Sequence, residues 1–170
     1  MTTTMEAALA EIHVEAFGWA LSCCHRDRLL AEEVLHVAYV KVLDGSARFD
    51  QRSSFKTFLF GVIRNTAMEQ RRASWLSARR LAQWFTVRPA PAPVADPEAI
   101  SLRSERAGAL TVAMTRLSAR QREVLHLVFY QDLTIEEAAK VLGITTGSAR
   151  QHYERGKARL RVLLPNEAPR

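Results

Sequence analysis

The chain is poor in what strands, membrane spans and cross-links require. It has only seven glycines in 170 residues and few alternating runs of β-branched residues, which leaves little material for sheets and points to an all-α fold. Its apolar runs are short and interrupted, so no membrane span is expected. The opening "MTTTMEAALAEIHVEAF" has no basic leader and breaks its apolar residues with Glu11, His13 and Glu15, unlike a secretory signal. The two cysteines, Cys23 and Cys24, are adjacent; they cannot build a disulfide framework, and a cytoplasmic setting is expected. Adjacent thiols also chelate one tetrahedral ion poorly, even with His25 and His13 nearby, and Cys23 falls on an apolar helical stripe. Core packing, not metal, is the reading for this cluster. Glycine-rich phosphate loops, catalytic triads and spaced carboxylate pairs are missing too, so neither an enzyme nor a cofactor is expected.

What is present is charge, unevenly placed. Residues 1–50 carry 4 basic and 8 acidic side chains, residues 51–90 carry 8 and 1, residues 91–115 carry 2 and 3, and residues 116–170 carry 10 and 6. Two basic blocks separated by a near-neutral stretch suggest two contacts with a polyanion, and the acidic leading segment suggests a different, basic partner. Four of the six prolines lie in "RPAPAPVADP", Arg88 to Pro97. Proline fixes φ and lacks an amide donor, so this stretch predicts an extended linker over 87–98 between domains 1–86 and 99–170.

Before the linker the periodicity predicts three helices. Leu9, Ile12, Ala16, Ala20 and Cys23 form the stripe of the first, widened by Phe17 and Leu21. The second runs from about Leu29 to Leu43 with Leu30, Val34, Ala38 and Val42 inward, and Asp44-Gly45 ends it. The third follows "DQRSS", capped by Ser53 or Ser54. Its face of Phe55, Phe58, Leu59, Val62 and Ile63 reads as core, while Phe49 and Phe60 stay undecided. Trp75, Trp84 and Phe85, among arginines, read as a cap on the same core. After the linker, a helix with Leu102, Leu110 and Met114 inward precedes "SARQREVLHLVFYQ", whose cap is Ser118.

The C-terminal run "LTIEEAAKVLGITTGSARQHYERGKARL" has the grammar of a helix-turn-helix. Thr134 and Glu137 stand at capping-box spacing, Ala138 and Ala139 allow a close helix crossing, Gly143 ends the first helix and Ile144 plugs the corner. Thr145 or Thr146 then caps a second helix carrying Arg150, Gln151, His152, Arg155, Lys157 and Arg159. Such a helix fits a major groove, its first residues reaching base edges and its basic flanks reaching phosphates.

Together with "FDQRSSFKTFLFGVIRNTAMEQRR", this run resembles the extracytoplasmic-function (ECF) branch of the bacterial RNA polymerase sigma factors, with domain two followed by domain four. The resemblance implies a promoter-specificity subunit that binds core RNA polymerase through its clamp and flap regions, recognises −35 and −10 elements and helps open the duplex. By position, Phe49, Asp50, Gln51, Arg52, Ser53 and Ser54 would form the loop capturing an extruded −10 base. Arg64, Asn65, Glu69 and Arg72 would contact the −10 strand, and Thr146, Ser148, Arg150, Gln151, Arg155 and Lys157 would meet −35 DNA. Glu32, Glu33 and His36 would face the polymerase clamp, and an anti-sigma factor is an expected partner. The chain departs from the family pattern where His36 and Val37 replace Gln and Glu, Phe58 replaces a tryptophan and Gly61 an arginine, which implies a weaker or differently adapted clamp contact. Two rival readings are a stand-alone dimeric helix-turn-helix regulator and a sigma-like interaction module that has lost polymerase docking.

Overall fold

The computed structural model describes residues 2–84 and 102–164, with side chains described over 5–77 and 108–164. Among these residues the chain is helical without strands, and it divides into two compact units, Met1–Ala95 and Asp96–Arg170. The expected linker, 87–98, lies outside the described residues.

The first unit holds α1 (Thr2–Glu11), α2 (His13–Cys23), α3 (Arg28–Leu43) and α4 (Phe55–Trp84). The stripe from Leu9 to Cys23 predicts one helix; the structure breaks it at Ile12, φ −102° and ψ 13°. No glycine or proline marks the break, which lets α1 pack on α2 and α3 separately while Leu9 is still buried. Asp27 caps α3 by accepting from the Leu30 amide at 3.1 Å. Asp44 and then Gly45, at φ +80°, end it, because glycine takes the left-handed region without the clash a Cβ would cause. The Ser46 amide donates to Asp44 Oδ1 at 2.8 Å; hydrogen bonding from the Ser46 side chain, then from this amide, lowers the Asp44 carboxyl from its ordinary value.

Alanines at 16, 20, 31 and 38 keep α2 and α3 slim where they meet α4, and Trp19, Leu59, Phe60 and Ile63 fill the space between, all fully buried. Trp19 Nε1 donates to the Phe60 carbonyl at 3.0 Å, and the two rings stack with centroids 6.1 Å apart. Phe60, undecided in sequence, is therefore the centre of the core. Phe55, Phe58 and Val62, expected inside, are only half-buried. Trp75 does not cap the core: it is 60% exposed on the second half of α4, where residues 71–77 are all exposed. Phe85 and the side chain of Trp84 lie outside the described residues.

Cys23 and Cys24 are both buried. Burial pushes the Cys24 thiol up to about 11, against a smaller opposing pull from Arg71. The thiolate is the reactive form, so the native protein is expected to resist thiol reagents at pH 8 and to label both cysteines only on unfolding. Rapid labelling of the native chain by Ellman's reagent would contradict this. Since the folded thiol holds its proton more tightly than the unfolded one, its contribution to stability is complete below about pH 9 and declines as pH rises toward about 11.

The second unit holds α5 (Leu102–Thr115), α6 (Ala119–Phe129), α7 (Ile135–Leu142) and α8 (Thr146–Leu163). Ser118 and Gln121 form a capping box on α6, Thr134 and Glu137 another on α7. Gly143, at φ +62°, closes α7 in the left-handed conformation, and the Ile144 amide donates back to the Ala139 carbonyl at 3.1 Å, as in a Schellman-type end. Among the described side chains of α5 the buried position is Ala113, followed by Leu117 just past the helix, while Leu110 and Met114 are half-buried; the side chain of Leu102 lies outside the described residues. Val124, Leu125, Leu127, Leu133, Ala138, Ala139, Val141, Leu142 and Ala149 are buried with them. Gly156 lies where α8 packs tightly on α6: a Cβ there would stand 2.8 Å from Leu125 Cδ1.

Candidate nucleic-acid interface

In the second unit the first half of α8 is presented by a rigid corner. Thr145, not Thr146, is the cap: its Oγ1 accepts from the Ser148 amide at 3.2 Å and donates to Ser148 Oγ at 2.9 Å. Arg150, Gln151 and Arg155 are exposed, Thr146 and Ser148 half-buried, and Ala149 and Gly156 face the core. Lys157 is spent inside the unit: its Nζ pairs with Glu154 at 3.0 Å and sits 4.3 Å from the centre of the Tyr153 ring. Of the six residues singled out on α8, five thus remain open or partly open to solvent, and Lys157 is tied down.

In the first unit the loop before α4 is a preset turn. Asp50 Oδ1 accepts from the Arg52 amide at 3.2 Å and Oδ2 pairs with Arg52 Nε at 3.2 Å. Gln51 between them takes φ +61°, a conformation that few residues other than glycine, asparagine and aspartate adopt. Phe49 is not a free ring at the entrance. It packs at 5.5 Å from Phe55 and 5.1 Å from Phe58, an aromatic cluster that anchors the loop to the first turn of α4. Ser54 closes the loop as a cap, its Oγ accepting from the Thr57 amide at 3.2 Å, and Ser53 Oγ donates to the Ser54 carbonyl at 3.2 Å. Gln51 and Arg52 are exposed, and no cap of the helix engages their side chains.

On α4, Asn65, Glu69 and Arg72 are exposed at the i, i+4, i+7 spacing of one helical face. Arg64, expected with them, is only 6% exposed. The reason is tertiary: α4 packs against both α2 and α3, so positions 63, 64, 66 and 67 are all buried. Sequence reasoning missed Lys41. From α3 its Nζ donates to Glu69 Oε2 at 2.6 Å and to Thr66 Oγ1 at 3.2 Å, fixing the carboxylate on the exposed face. A lone lysine near the end of a helix carries no signal of such a role.

Of the three polymerase-facing candidates, Glu32 and His36 line one groove of about 390 Å³ with His13, Phe17, Leu35 and Tyr39. Arg28 pairs with Glu32 at 3.0 Å and lies 5.6 Å from the Phe17 ring centre. Tyr39 shares a hydrogen bond with His13 at 3.1 Å, and burial pushes its hydroxyl up to about 12, so it stays a phenol. Glu33 is exposed outside that lining.

Family comparison joins the two units. Residues 13–76 match the family Sigma-70 region 2, and residues 113–162 match Sigma-70, region 4. The chain belongs to the sigma-70 family. Its relatives include the ECF RNA polymerase sigma factor SigX of Bacillus subtilis (strain 168), 28% identical over 145 residues, 81% of this chain and 71% of that one. The RNA polymerase sigma factor CarQ of Myxococcus xanthus is 28% identical over 139 residues, covering 82% and 77%. Among solved structures, the fold matches the sigma factor RpoE crystallised with the anti-sigma factor NepR from Bartonella quintana, with TM-score 0.73, 23% identity and coverage of 96% and 98%. It also matches CnrH in complex with the cytosolic domain of CnrY, with TM-score 0.66, 18% identity and coverage of 99% and 92%. This sigma factor is of the ECF type, a promoter-recognising subunit for RNA polymerase. Among the described residues no helix is long and apolar enough to cross a membrane.

Proposed function

We propose that the two units divide promoter recognition between them. Residues 1–86 bind core polymerase and the −10 element, 87–98 link the units, and 99–170 read the −35 element through α8. The observation that carries this reading is the exposed Arg150–Gln151 pair on a helix whose corner is locked by caps on both sides. Gln51 and Arg52 reach an extruded −10 base from the preset loop, with Asn65, Glu69 and Arg72 alongside on the strand. Ser54 and Phe49 shape the loop, and Arg64 supports the helix from within. Extruding a base costs a few kcal/mol of lost stacking, and a loop already held in its turn spends less of its contact energy on ordering itself. Glu32 and His36, in their groove, face the polymerase clamp. An anti-sigma partner is part of the proposal, supported by RpoE having been crystallised with NepR. The protein acts without catalysis of its own, in the cytoplasm.

In-vitro transcription with core polymerase from the same organism tests the reading. The expected result is a start site that depends on this protein; absence of both core binding and a start would sink it. Within that assay Arg150→Ala is expected to relax base preference in the −35 element by about 1–3 kcal/mol at one position, with core binding intact. Loss of core binding instead would mean α8 is not the reading helix.

A further inference from the structure

Beyond Gln70 every described side chain of α4 is exposed. Trp75 is 60% exposed and Leu76 49%, on a stretch that a solvated helix would fill with polar side chains. Between this stretch and the start of α3 lies an open groove of about 550 Å³. Leu30, Met68 and Trp75 give it apolar walls, and Arg71 and Arg72 line it as well. No carboxylate belongs to the lining, and among the described residues none pairs with either arginine. Arg71 Nη1 donates to His25 Nε2 at 3.2 Å, which anchors that guanidinium to the turn between α2 and α3. Gln70 shares the lining, and its side-chain oxygen is buried without a hydrogen-bond partner, an acceptor whose desolvation is uncompensated.

We propose that this groove docks an amphipathic helix of another protein, one whose apolar ridge is flanked by Asp or Glu. Charge selects the acidic partner, because two guanidinium groups in one lining with no carboxylate favour an incoming anion. Residue type selects protein over nucleic acid. A base stacks on a flat ring or a guanidinium plane, so walls made by Leu30 and Met68 offer it little, whereas both are ordinary contacts for an inserted Leu or Phe. Tryptophan, methionine and arginine are also enriched in protein interfaces, and tryptophan and arginine supply many of their strongest anchors. A ridge at i, i+3, i+4 and i+7 is the usual way for a helix to fill such a groove, and a donor on it would satisfy Gln70. The surface is distinct from the groove assigned to the polymerase clamp, since Leu30 and Glu32 stand about 200° apart around α3. Arg72 alone is shared with the proposed −10 face, so docking does not rest on the division of promoter recognition.

A displayed library of random peptides, selected on the full chain and counter-selected on the Trp75→Ala protein, tests this. The survivors should be acidic and amphipathic, with apolar residues at helical spacing. One survivor, made as a synthetic peptide, should bind wild type about tenfold more tightly than Trp75→Ala, the loss expected of an interface anchor. Arg71→Glu should weaken that peptide and strengthen a counterpart with Lys in place of its acidic residues, a reversal that mere loss of packing does not produce. A photoreactive group on the peptide's apolar face should mark residues 68–75 of the wild-type chain. Basic survivors, or none that distinguish wild type from Trp75→Ala, would overturn the proposal. So would cross-links elsewhere, a result that stands whether or not the variants fold. Displacement of the peptide by oligo(dT), with oligo(dT) binding lost in Trp75→Ala, would overturn it in favour of a base-stacking surface. Self-association of the chain abolished by the same substitution would overturn it in favour of a second copy.

Discussion

Trp19→Ala is expected to cost the N-terminal unit about 3–5 kcal/mol, the range for truncating a large buried aromatic. Trp19 is 0% exposed, and its removal empties the space beside Phe60 and leaves the Phe60 carbonyl without the 3.0 Å bond from Nε1. A helical carbonyl retains its backbone partner, so the cavity does most of the damage and the lost hydrogen bond adds about 1 kcal/mol. Domains are stable by only about 5–15 kcal/mol, so the variant should sit near the edge of unfolding. Urea denaturation followed by circular dichroism reads this as a lowered midpoint for the first unit. Trp75→Ala is the control: its ring is mostly in solvent, and surface changes of this kind stay within about 0.5 kcal/mol. Equal effects from the two substitutions would mean that the core has been placed in the wrong part of the unit.

Gly156→Val should damage the C-terminal unit at the seam between α6 and α8. The added Cβ would stand 2.8 Å from Leu125 Cδ1, 3.2 Å from Leu125 Cγ and 3.4 Å from Gln121 Cβ. Leu125 is fully buried, so its methyl has little room to retreat. Alanine at this site gains about 1 kcal/mol of helix propensity over glycine, against an overpacking cost of about 1–3 kcal/mol; the net is a modest loss. Valine keeps only part of the propensity gain, adds two methyl groups and restricts its own rotamers, so about 3 kcal/mol of destabilisation is expected. Because the strain falls between α6 and α8, the −35 binding proposed for α8 should fail at temperatures where helix content survives. A Gly156→Val protein with wild-type melting and −35 binding would show that α8 does not pack this closely on α6.

The helix-turn-helix was legible because its signals are local. Thr134 and Glu137 announce a capping box three residues apart, and Gly143 supplies the left-handed stop that the corner needs. Gly156 was legible in principle, since a glycine in mid-helix sacrifices propensity and implies a close neighbour, but the basic residues around it drew the reading toward DNA. The first unit was harder. Trp19 bonds to a residue 41 positions away, and no periodicity in α2 ranks it above Phe17, which is half-buried. The same limit explains Phe60 and Arg64: α4 is covered from two directions, so its buried arc is wider than the stripe its apolar residues trace. The break at Ile12 has no residue signature at all. In the proposed DNA-facing parts, the existence of a loop before α4 and the position of α8 were readable. The division of labour within them, with Ser54 capping, Phe49 anchoring and Lys157 tied to Glu154, depended on contacts that no spacing reports.

Lys41 gives α3 a second occupation. The helix is 16 residues long; Glu32 lies toward its start and His36 at its middle, and Lys41, near its end, holds Glu69 and Thr66 on α4. On the proposed assignment the polymerase touches one end of this rod while the other end steadies a side chain beside the −10 strand. Binding free energies at two sites joined in this way obey a symmetry: whatever factor polymerase adds to the affinity for −10 DNA, that DNA adds to the affinity for polymerase. The rod then acts as a balance beam, and Lys41→Met frees Glu69 from its 2.6 Å partner at one end while leaving Glu32 and His36 in place.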